Sequence, residues 1–424
     1  MNNRRKKMIP ALRFSEFESN GEWGNTIIGS LGSFYYGKSA PKWSLSEDAK
    51  TPCVRYGELY TKFGPVIREV YSRTNIEPEK LRFSKGGEIL VPRVGEKPED
   101  FGKCCCYLPL EGVAIGEMIS VFETKENPLF YTYYFKSMYR QFAKVVEGQN
   151  VKNLYYKELE PLPIGITSPK EQKKIADCLL SLDDLILTQN EKIKSLKRYK
   201  NALLQQLFPH NGKAVPSIRF SEFANRKKWD EKPMKDVFSL EQGYAFSSKD
   251  SVSNGVRWLK IADVGLQKMT PKSPSFLPEE HKNKFEKSIV NKGDYVMALT
   301  RPILSGELKI AQVDDEYDGA LLNQRVAKIV TSNDQSFIYF LLQKSNIVEK
   351  IEKNIAGAEP PNLSSKHIEK INIYIPERDE QEKIAKVLSS LDLIITNACS
   401  WLENLTQHQT GLLQQLFPQL EGDH

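Results

Sequence analysis

The sequence predicts an α+β protein with two similar mixed α/β domains, separated by a pair of long antiparallel coiled-coil helices and related by a pseudo-two-fold internal repeat. Three observations predict this class. One segment of the 424-residue chain is repeated, a long apolar periodicity fills both copies, and the stretches between the copies have diverged. Internal repeats are considered first because they determine the architecture of a chain.

The longer repeated segment begins with EQKKIADCLLSLDDLI at Glu171 and returns as EQEKIAKVLSSLDLII at Glu380, 209 residues later. Both copies continue without a gap to LLQQLFP, which ends at Pro209 and Pro418. The flanks of the two halves are therefore copied, while the sequences between them differ. A two-site recognition protein needs such an arrangement; an old duplication with drifted middle stretches is the alternative.

A shorter box precedes each half. IPALRFSEF begins at Ile9 and returns as VPSIRFSEF at Val215, and the tryptophans Trp23 and Trp229 follow at equal distances. The chain then divides into an N-terminal segment (1–20), a first mixed domain (21–168), a central helix (169–209), a linker with the second box (210–226), a second mixed domain (227–377) and a C-terminal helix (378–424).

Each middle stretch predicts short strands, then a helix and a return strand. GEILVPRV from Gly87 and KGDYVMALTR from Lys292 have the pattern of a turn that leads into an apolar strand. FYTYYFKSMYRQF from Phe130 and SFIYFLLQKSNIVEKI from Ser336 predict amphipathic helices. The two domains are therefore expected to resemble each other.

The repeated segments predict long helices with an apolar seam. Apolar residues recur at steps of three and four, which indicates coiled-coil packing of one copy on the other. The alternative, packing of each seam on its own domain, fits the first turns of the helices better than their full length. A helix of about 38 residues is on the order of 57 Å long. Since Pro209 leads through HNGK into the second half, we expect the end of the second helix to lie where the first half begins. The predicted seam comprises Leu179, Leu182, Ile186, Ile193, Leu196, Leu388, Leu391, Ile395, Leu402 and Leu405.

Charge and composition favour a polyanionic partner only weakly, because the formal net charge of +6 is spread over the whole chain. The cysteines lack CxxC spacing and the histidines stand apart, so we expect no metal site. No apolar run approaches the length of a membrane span. The sequence thus predicts a cytoplasmic protein.

Basic residues interleave with aromatic residues in both middle stretches, as expected for contact with DNA. Lysine and arginine neutralise phosphates, and both make bidentate contacts to guanine. The candidates for DNA binding are Lys38, Lys42, Arg55, Arg68, Arg73, Arg93, Lys249, Arg257, Lys260, Arg301, Lys309 and Arg325.

Residues Gly32 to Ser39 match the phosphate-loop pattern GxxxxGK[ST], which leaves a nucleotide-binding enzyme as an alternative. That mechanism requires a helix that opens at the lysine, and Ala40-Pro41-Lys42-Trp43 lacks helical periodicity. A two-domain adaptor that binds two different proteins is a second alternative. We expect no catalytic centre in this chain.

Together, the duplicated EQxKIAxxLxSLD helices, the RFSEF boxes and the two dissimilar middle stretches resemble the specificity subunit of a type I restriction-modification system, over essentially the whole chain. The resemblance implies two target recognition domains that read a bipartite, asymmetric sequence in double-stranded DNA, with the helices setting the spacer. It also implies a non-catalytic subunit with two methylation subunits, which bring S-adenosylmethionine, and restriction subunits that use ATP and Mg²⁺. No cofactor is expected in this chain itself.

Overall fold

The computed structural model describes residues 8–210, 212–271, 274–355 and 361–418. The chain forms two compact units, the first from Met1–Lys192 with Cys399–His424 and the second from Ile193–Ala398. Neither unit coincides with a predicted segment, because each contains part of both long helices. The predicted segment boundaries stay a prediction.

The first unit is built from short strands and helices. Its strands are β1 (Gly24–Ile27), β2 (Gly32–Tyr36), β3 (Thr51–Val54), β4 (Ser72–Thr74), β5 (Phe83–Lys85), β6 (Glu88–Pro92), β7 (Val94–Gly95), β8 (Cys106–Leu108), β9 (Glu111–Ile115), β10 (Ile119–Thr124), β11 (Lys152–Asn153) and β12 (Pro163–Ile166). Its short helices are α1 (Ile28–Leu31), α2 (Tyr56–Thr61), α3 (Asp100–Lys103), α4 (Pro128–Ser137), α5 (Tyr139–Lys144) and α6 (Tyr156–Leu159), and the long helix α7 (Pro169–Leu207) follows.

Two four-stranded sheets organise this unit, in the orders β2-β10-β6-β8 and β4-β3-β9-β5. All pairs are antiparallel except β3 with β9, which run parallel. The separate pair of β1 and β12 joins the beginning of the middle stretch to its end.

The second unit has the same plan. Its strands are β13 (Asp230–Pro233), β14 (Ser239–Gln242), β15 (Val256–Leu259), β16 (Phe276–Leu277), β17 (Ile289–Val290), β18 (Tyr295–Ala298), β19 (Ile303–Leu304), β20 (Glu307–Leu308), β21 (Ile310–Gln312), β22 (Ala320–Leu322), β23 (Val326–Val330) and β24 (Asn372–Ile375). Its short helices are α8 (Glu280–Lys284), α9 (Gln335–Leu341), α10 (Ser345–Ile355) and α11 (Ser365–Ile368), and the long helix α12 (Arg378–Gln415) follows.

The diverged middle stretches share one topology. The sheets of the second unit have the orders β14-β23-β18-β21 and β16-β15-β22-β17, β15 and β22 are again parallel, and β13 pairs with β24 as β1 pairs with β12. The strands predicted after Gly87 and Lys292 are β6 and β18, which occupy the same place in corresponding sheets. The prediction of two similar mixed α/β domains is confirmed.

The helices predicted from Phe130 and Ser336 are present, but each is divided in two. In the second unit the break contains Lys344, which is buried and donates hydrogen bonds to the carbonyls of Phe208 (3.2 Å) and Pro209 (2.7 Å). These carbonyls belong to the two residues that follow α7, so the lysine fixes the chain just beyond that helix end. Burial lowers the pKa of Lys344 to about 8.

Aromatic side chains form the main core of each unit. In the first unit, Trp23 packs on Phe130 of α4 and on Phe417, with ring centroids 5.8 and 6.5 Å apart. Phe417 follows the end of α12 and has no exposed surface. The core of the first unit therefore includes residues from the far end of the chain.

The second unit repeats this arrangement with Phe208, which follows the end of α7. Phe208 packs on Trp229 and Phe337, with ring centroids 6.1 and 5.1 Å apart. Phe208 and Phe417 are 209 residues apart, the offset of the repeat, so the end of each long helix completes a core of the same kind.

Within each unit, the segments of the two long helices run antiparallel. In the first unit, Leu416 shares a core with Ile175, and farther along the helices Gln409 donates to Asp183 at 2.7 Å. In the second unit, Leu207 shares a core with Ile384, and farther along Lys200 forms a 2.6 Å ion pair with Asp392. Leu179, Ile193, Leu388, Leu391 and Ile395 of the predicted seam are buried, and Leu182, Ile186, Leu196, Leu402 and Leu405 are half-buried.

The first box is attached to α7 by a buried carboxylate. Glu171 accepts hydrogen bonds from Arg13 (2.7 and 2.8 Å) and from the indole of Trp23 (3.2 Å). Burial acts to raise the pKa of Glu171, but the hydrogen bonds from Arg13, Thr167 and Trp23 outweigh it and hold the pKa below its usual value. The glutamate is therefore ionised at neutral pH.

Glu380 performs the same task at the start of α12. It accepts hydrogen bonds from Arg219 (2.9 and 2.7 Å) and from the indole of Trp229 (3.2 Å). These contacts explain why the arginine of the box, the tryptophan and the glutamate are repeated together.

The glutamine that follows each glutamate holds the adjacent domain. Gln172 accepts a hydrogen bond from the backbone of Asn127 (3.1 Å), which caps α4. Gln381 accepts one from the backbone of Asp334 (3.0 Å), which caps α9. The repeated Glu-Gln pair thus connects each long helix to a box and to a sheet domain.

The end of α12 meets the first box, as expected from the repeat. The backbone N–H of Leu12 donates to the carbonyl of Gln415 at 2.9 Å. The equivalent bond in the second unit joins Ile218 to Gln206 at 3.1 Å, where the chain is continuous. The first unit thus reproduces, between distant parts of the sequence, a junction that the second unit makes locally.

The segment that matches the phosphate-loop pattern does not form a phosphate loop. Gly32–Tyr36 is strand β2, and no helix begins at Lys38. A Cβ atom on Gly37 would lie 2.1 Å from the carbonyl oxygen of Gly116, and one on Gly243 would lie 2.2 Å from that of Leu322. The glycine is repeated because strand ends pass close together there, which removes the basis for a nucleotide site.

Candidate DNA interface

The ends of four strands converge on one side of the first unit. The N–H of Lys38, after β2, donates to Ile115 at the end of β9 (2.8 Å), and the N–H of Gly116 donates to Val54 at the end of β3 (2.9 Å). The N–H of Arg93, after β6, donates to Met118 (3.0 Å). These contacts bring together the predicted DNA-binding residues Lys38, Arg55 and Arg93.

Two aromatic rings hold Arg93 in this cluster. Its guanidinium lies 4.6 Å from the ring centroid of Tyr36 and 5.2 Å from that of Tyr155. Within the described ranges, Arg93 forms no ion pair and its buried Nε atom has no hydrogen-bond partner. The side chain is therefore oriented by stacking while its charge is not neutralised by a carboxylate.

Arg82, which the sequence did not single out, belongs to the same cluster. It donates to the carbonyl of Tyr36 and lies 5.0 Å from the ring centroid of Tyr35. Burial raises the pKa of both tyrosines, so the phenols are neutral and can donate or accept hydrogen bonds. We define the first strand-end cluster as Tyr36, Lys38, Arg55, Arg82, Arg93 and Tyr155.

The equivalent strand ends converge in the second unit. The N–H of Tyr244, after β14, donates to Leu322 at the end of β22 (3.0 Å), and the N–H of Asn323 donates to Leu259 at the end of β15 (2.9 Å). The N–H of Leu299, after β18, donates to Arg325 (2.8 Å). The second strand-end cluster comprises Tyr244, Lys260, Arg301, Lys309, Asn323, Arg325 and Asn362.

Arg301 has a left-handed backbone, with φ of 46°, and an exposed side chain. Its N–H donates to Pro361 at 2.8 Å, and the preceding Thr300 donates to the Asn362 side chain at 2.7 Å. Across the described part of the second unit, neither Arg301 nor Arg325 forms an ion pair. Both guanidinium groups are thus available to an external acceptor.

Other predicted DNA-binding residues lie outside these clusters. Lys42 and Lys249 are exposed on short 3-10 turns, and Arg73 lies on β4, where it donates to the carbonyl of Lys50 at 2.9 Å. Arg68 forms an ion pair with Asp184 of α7. None of the contacts described above joins these residues to the two clusters, and their role in DNA binding stays a prediction.

Arg257 is buried inside the second unit. It forms a 2.9 Å ion pair with Glu316 and donates to the hydroxyl of Tyr317 at 2.9 Å. Lys260, in contrast, is half-buried, with its ammonium 4.0 Å from the ring centroid of Trp258 and 2.9 Å from the hydroxyl of Ser275. The sequence pattern of alternating basic and aromatic residues did not distinguish these two environments.

Sequence reasoning missed the aromatic and amide members of the clusters. The signal that could have found them is the repeated glycine, since Tyr36 precedes Gly37 and Tyr244 follows Gly243.

Among the described residues, no group of three or more His, Cys, Asp or Glu side chains is placed to hold a metal ion. Nor does this part of the chain contain a helix long and apolar enough to cross a membrane.

The family model for the type I restriction modification DNA specificity domain matches this chain twice, at residues 23–198 and 226–403. The chain is 29% identical to the type I restriction enzyme MjaVIII specificity subunit of Methanocaldococcus jannaschii over 359 residues, which cover 82% of this chain and 83% of the relative. It is 27% identical to the EcoAI specificity subunit of Escherichia coli over 230 residues, 53% of this chain and 38% of the relative.

The fold is similar to that of solved structures. A crystal structure of the type I restriction-modification S subunit from M. genitalium matches with a TM-score of 0.63 and 17% identity, over 97% of this chain and all of that chain. A chain from a structure on complex assembly and conformational transition of the type I R-M system matches with a TM-score of 0.54 and 14% identity, over 99% of this chain and all of that chain. At these identities the likeness concerns the fold alone.

Proposed function

This chain belongs to the type I restriction modification DNA specificity family, and from that premise we propose that each unit reads one half of a bipartite, asymmetric DNA sequence. The role of the chain is DNA target recognition in restriction modification. One observation carries the proposal: two units with the same strand order present different side chains at equivalent strand ends. Different donors and acceptors at equivalent positions select different bases.

Within each cluster, we assign base reading to arginines and backbone contact to lysines. Arg93 and Arg301 are suited to guanine, because neither is neutralised by a carboxylate and each projects from the end of a strand. Lys38, which is exposed, is suited to a phosphate. The carboxamide of Asn323 suits adenine, because its oxygen, which accepts from the N–H of Arg325 at 3.1 Å, keeps a second lone pair beside the NH₂ donors.

We further propose that the long helices set the length of the unread spacer. Helices α7 and α12 contain 39 and 38 residues. Each inserted residue adds about 1.5 Å and about 100° of rotation to a helix. A spacer defined in this way tolerates no single-residue insertion within the repeated segments.

We also propose that the chain performs no chemistry itself and binds double-stranded DNA together with other subunits. Two methylation subunits bring S-adenosylmethionine, and restriction subunits use ATP and Mg²⁺. The curated relatives are specificity subunits, which supports this division of labour. The alternative of a nucleotide-binding enzyme is not supported, because the segment that matches the phosphate-loop pattern contains strand β2 and forms no phosphate loop. The alternative of a protein adaptor predicts that the chain binds no DNA sequence selectively.

The decisive experiment maps methylated adenines in a genome with and without this gene. We expect one bipartite motif to depend on the gene. Replacing residues 227–377 with the corresponding segment of a relative should change one half of that motif and keep the other half and the spacer. A replacement that altered both halves would contradict modular reading, and ATP turnover by the isolated chain would favour the enzyme.

A further inference from the structure

Trp43 has an unusually exposed side chain for a residue of its size. Its relative exposure of 80% is higher than that of any other exposed large apolar residue in the described ranges. The neighbouring Lys42 is exposed, as are Lys38 and Lys50 in the same connection between β2 and β3. An exposed apolar ring among cations suits duplex DNA, because DNA combines an anionic backbone with the apolar faces of stacked base pairs.

The turn that carries Trp43 is held in place on both sides. The next residue, Ser44, is buried, and its hydroxyl lies 2.8 Å from that of Thr74 on β4 and donates to the carbonyl of Pro41 at 2.7 Å. The N–H of Asn75 donates to the carbonyl of Ser44 at 2.9 Å. The indole is therefore presented by a fixed 3-10 turn, Lys42–Ser44.

The chain reaches this turn through a strained backbone. Ser39 and Ala40 both have left-handed conformations, with φ of 61° and 59°, although neither is glycine. Ala40 is buried in a small core with Cys53 and Ala114, which keeps the segment in this conformation. Strain of this kind persists only where the surrounding structure imposes it, and it is frequent at ligand-binding sites.

The second unit carries a different residue on the corresponding turn. Its 3-10 turn, Ser248–Asp250, lies between β14 and β15, as Lys42–Ser44 lies between β2 and β3. The middle residue there is Lys249, which is exposed. The two turns therefore present an indole in one unit and an ammonium in the other.

We propose that Trp43 inserts its indole between base pairs of the half-site read by the first unit, while Lys249 contacts a phosphate of the other half-site. This inference rests on the proposed function and adds an apolar wedge, the Trp43 indole, to the DNA contacts of the first unit. Apolar wedges unstack a base step and kink the duplex, and flexible pyrimidine–purine steps kink most easily. The first unit thus selects sequence at one step through deformability.

The test uses the assembled complex with its methylation subunit and a duplex that carries the mapped motif. Fluorophores at the two ends of the duplex report bending by energy transfer, and titration gives the dissociation constant. Trp43→Ala should weaken binding about tenfold or more and remove the kink next to the half-site of the first unit, since aromatic–base contacts are substantial. Trp43→Phe should retain part of both effects.

Lys249→Ala is the matched control on the equivalent turn. It should leave the kink unchanged and reduce the salt dependence of binding, because one phosphate contact is lost. The proposal would be overturned if the Trp43→Ala complex bound and bent the duplex as the wild type does. It would also be overturned if this variant bound more weakly but left the kink unchanged. If the wild-type complex bound no sequence selectively, the proposed function would fail as well, which separates that outcome from failure of the wedge alone.

Discussion

Arg219 donates two hydrogen bonds to the carboxylate of Glu380, at 2.9 and 2.7 Å, and both side chains are almost fully buried. The equivalent contact in the first unit joins Arg13 to Glu171 with the same bidentate geometry. These ion pairs attach the boxes to the long helices, so each is expected to determine the stability of its own unit.

Arg219→Ala should destabilise the second unit by about 3–5 kcal/mol, because Glu380 remains buried without its charge partner. Denaturant unfolding followed by hydrogen exchange in residues 193–398 measures the loss. Lys227→Ala is the control, since its ion pair with Asp230 is exposed and contributes about 0–1 kcal/mol. Equal stability of the two variants would contradict this role for the buried pair.

Leu391→Asp should separate the long helices, because it places an unpaired carboxylate in a buried apolar position at a cost of several kcal/mol. Leu393→Asp is the control on the same helix, since Leu393 is 61% exposed. Mapping of the methylated motif should show loss of the bipartite site for the first variant alone. Methylation with unaltered spacing in both variants would mean that the seam does not set the spacer.

Leu182→Asp should act in the same direction but less strongly, because Leu182 is only half-buried.

Phe417→Ala should destabilise the first unit by about 3–5 kcal/mol, because it leaves a cavity beside Trp23 and Phe130. Phe208→Ala is the matched variant for the second unit. Hydrogen exchange should locate the loss of protection in residues 8–192 for the former and in 212–398 for the latter. The same pattern of protection in both variants would contradict the separate cores.

Lys344→Met should remove part of the pH dependence of stability. The pKa of Lys344 is about 8 in the folded unit, below its value in an unfolded chain, so the unfolded state binds more protons between these two values. The lysine therefore makes stability rise with pH from about 8 to about 10.5. The difference in unfolding free energy between wild type and variant should show this rise, and a difference that is flat across the window would disprove it.

Arg301→Ala should reduce discrimination at one base pair by about 1–3 kcal/mol, whereas Lys38→Ala should weaken binding to all sequences alike and flatten the salt dependence. Binding of single-substitution libraries of the target distinguishes the two effects. Arg301→Lys tests the geometry, because it keeps the charge and loses the planar fork. A uniform loss of affinity for Arg301→Ala would assign this residue to the backbone instead.

The long helices and the strands β6 and β18 could be predicted because repetition and periodicity are properties of the sequence itself. The strand order could not, since it depends on contacts between distant segments. The contacts of the Glu-Gln pairs could not be predicted for the same reason. In the sequence Glu171 has the pattern of a helix start, and only its contact with Arg13 in the structure explains why it is buried.

The candidate DNA interface could be predicted only in part. A basic residue beside an aromatic one can face solvent, as Lys42 does beside Trp43, or lie in the core, as Arg257 does against Tyr317. Alternation alone does not separate these cases, because the facing carboxylate, Glu316, lies 59 residues away in the sequence.

The placement of Phe208 and Phe417 has a consequence for synthesis on the ribosome. Domains generally fold as units while the chain emerges. The residues of the second unit, Ile193–Ala398, are contiguous, so that unit can close as soon as it has been translated. The first unit begins earlier in the chain but lacks Phe417 until the segment that follows α12 has been made. The half that is synthesised first therefore completes its core last, because Trp23 can pack on Phe417 only after the second unit has been made.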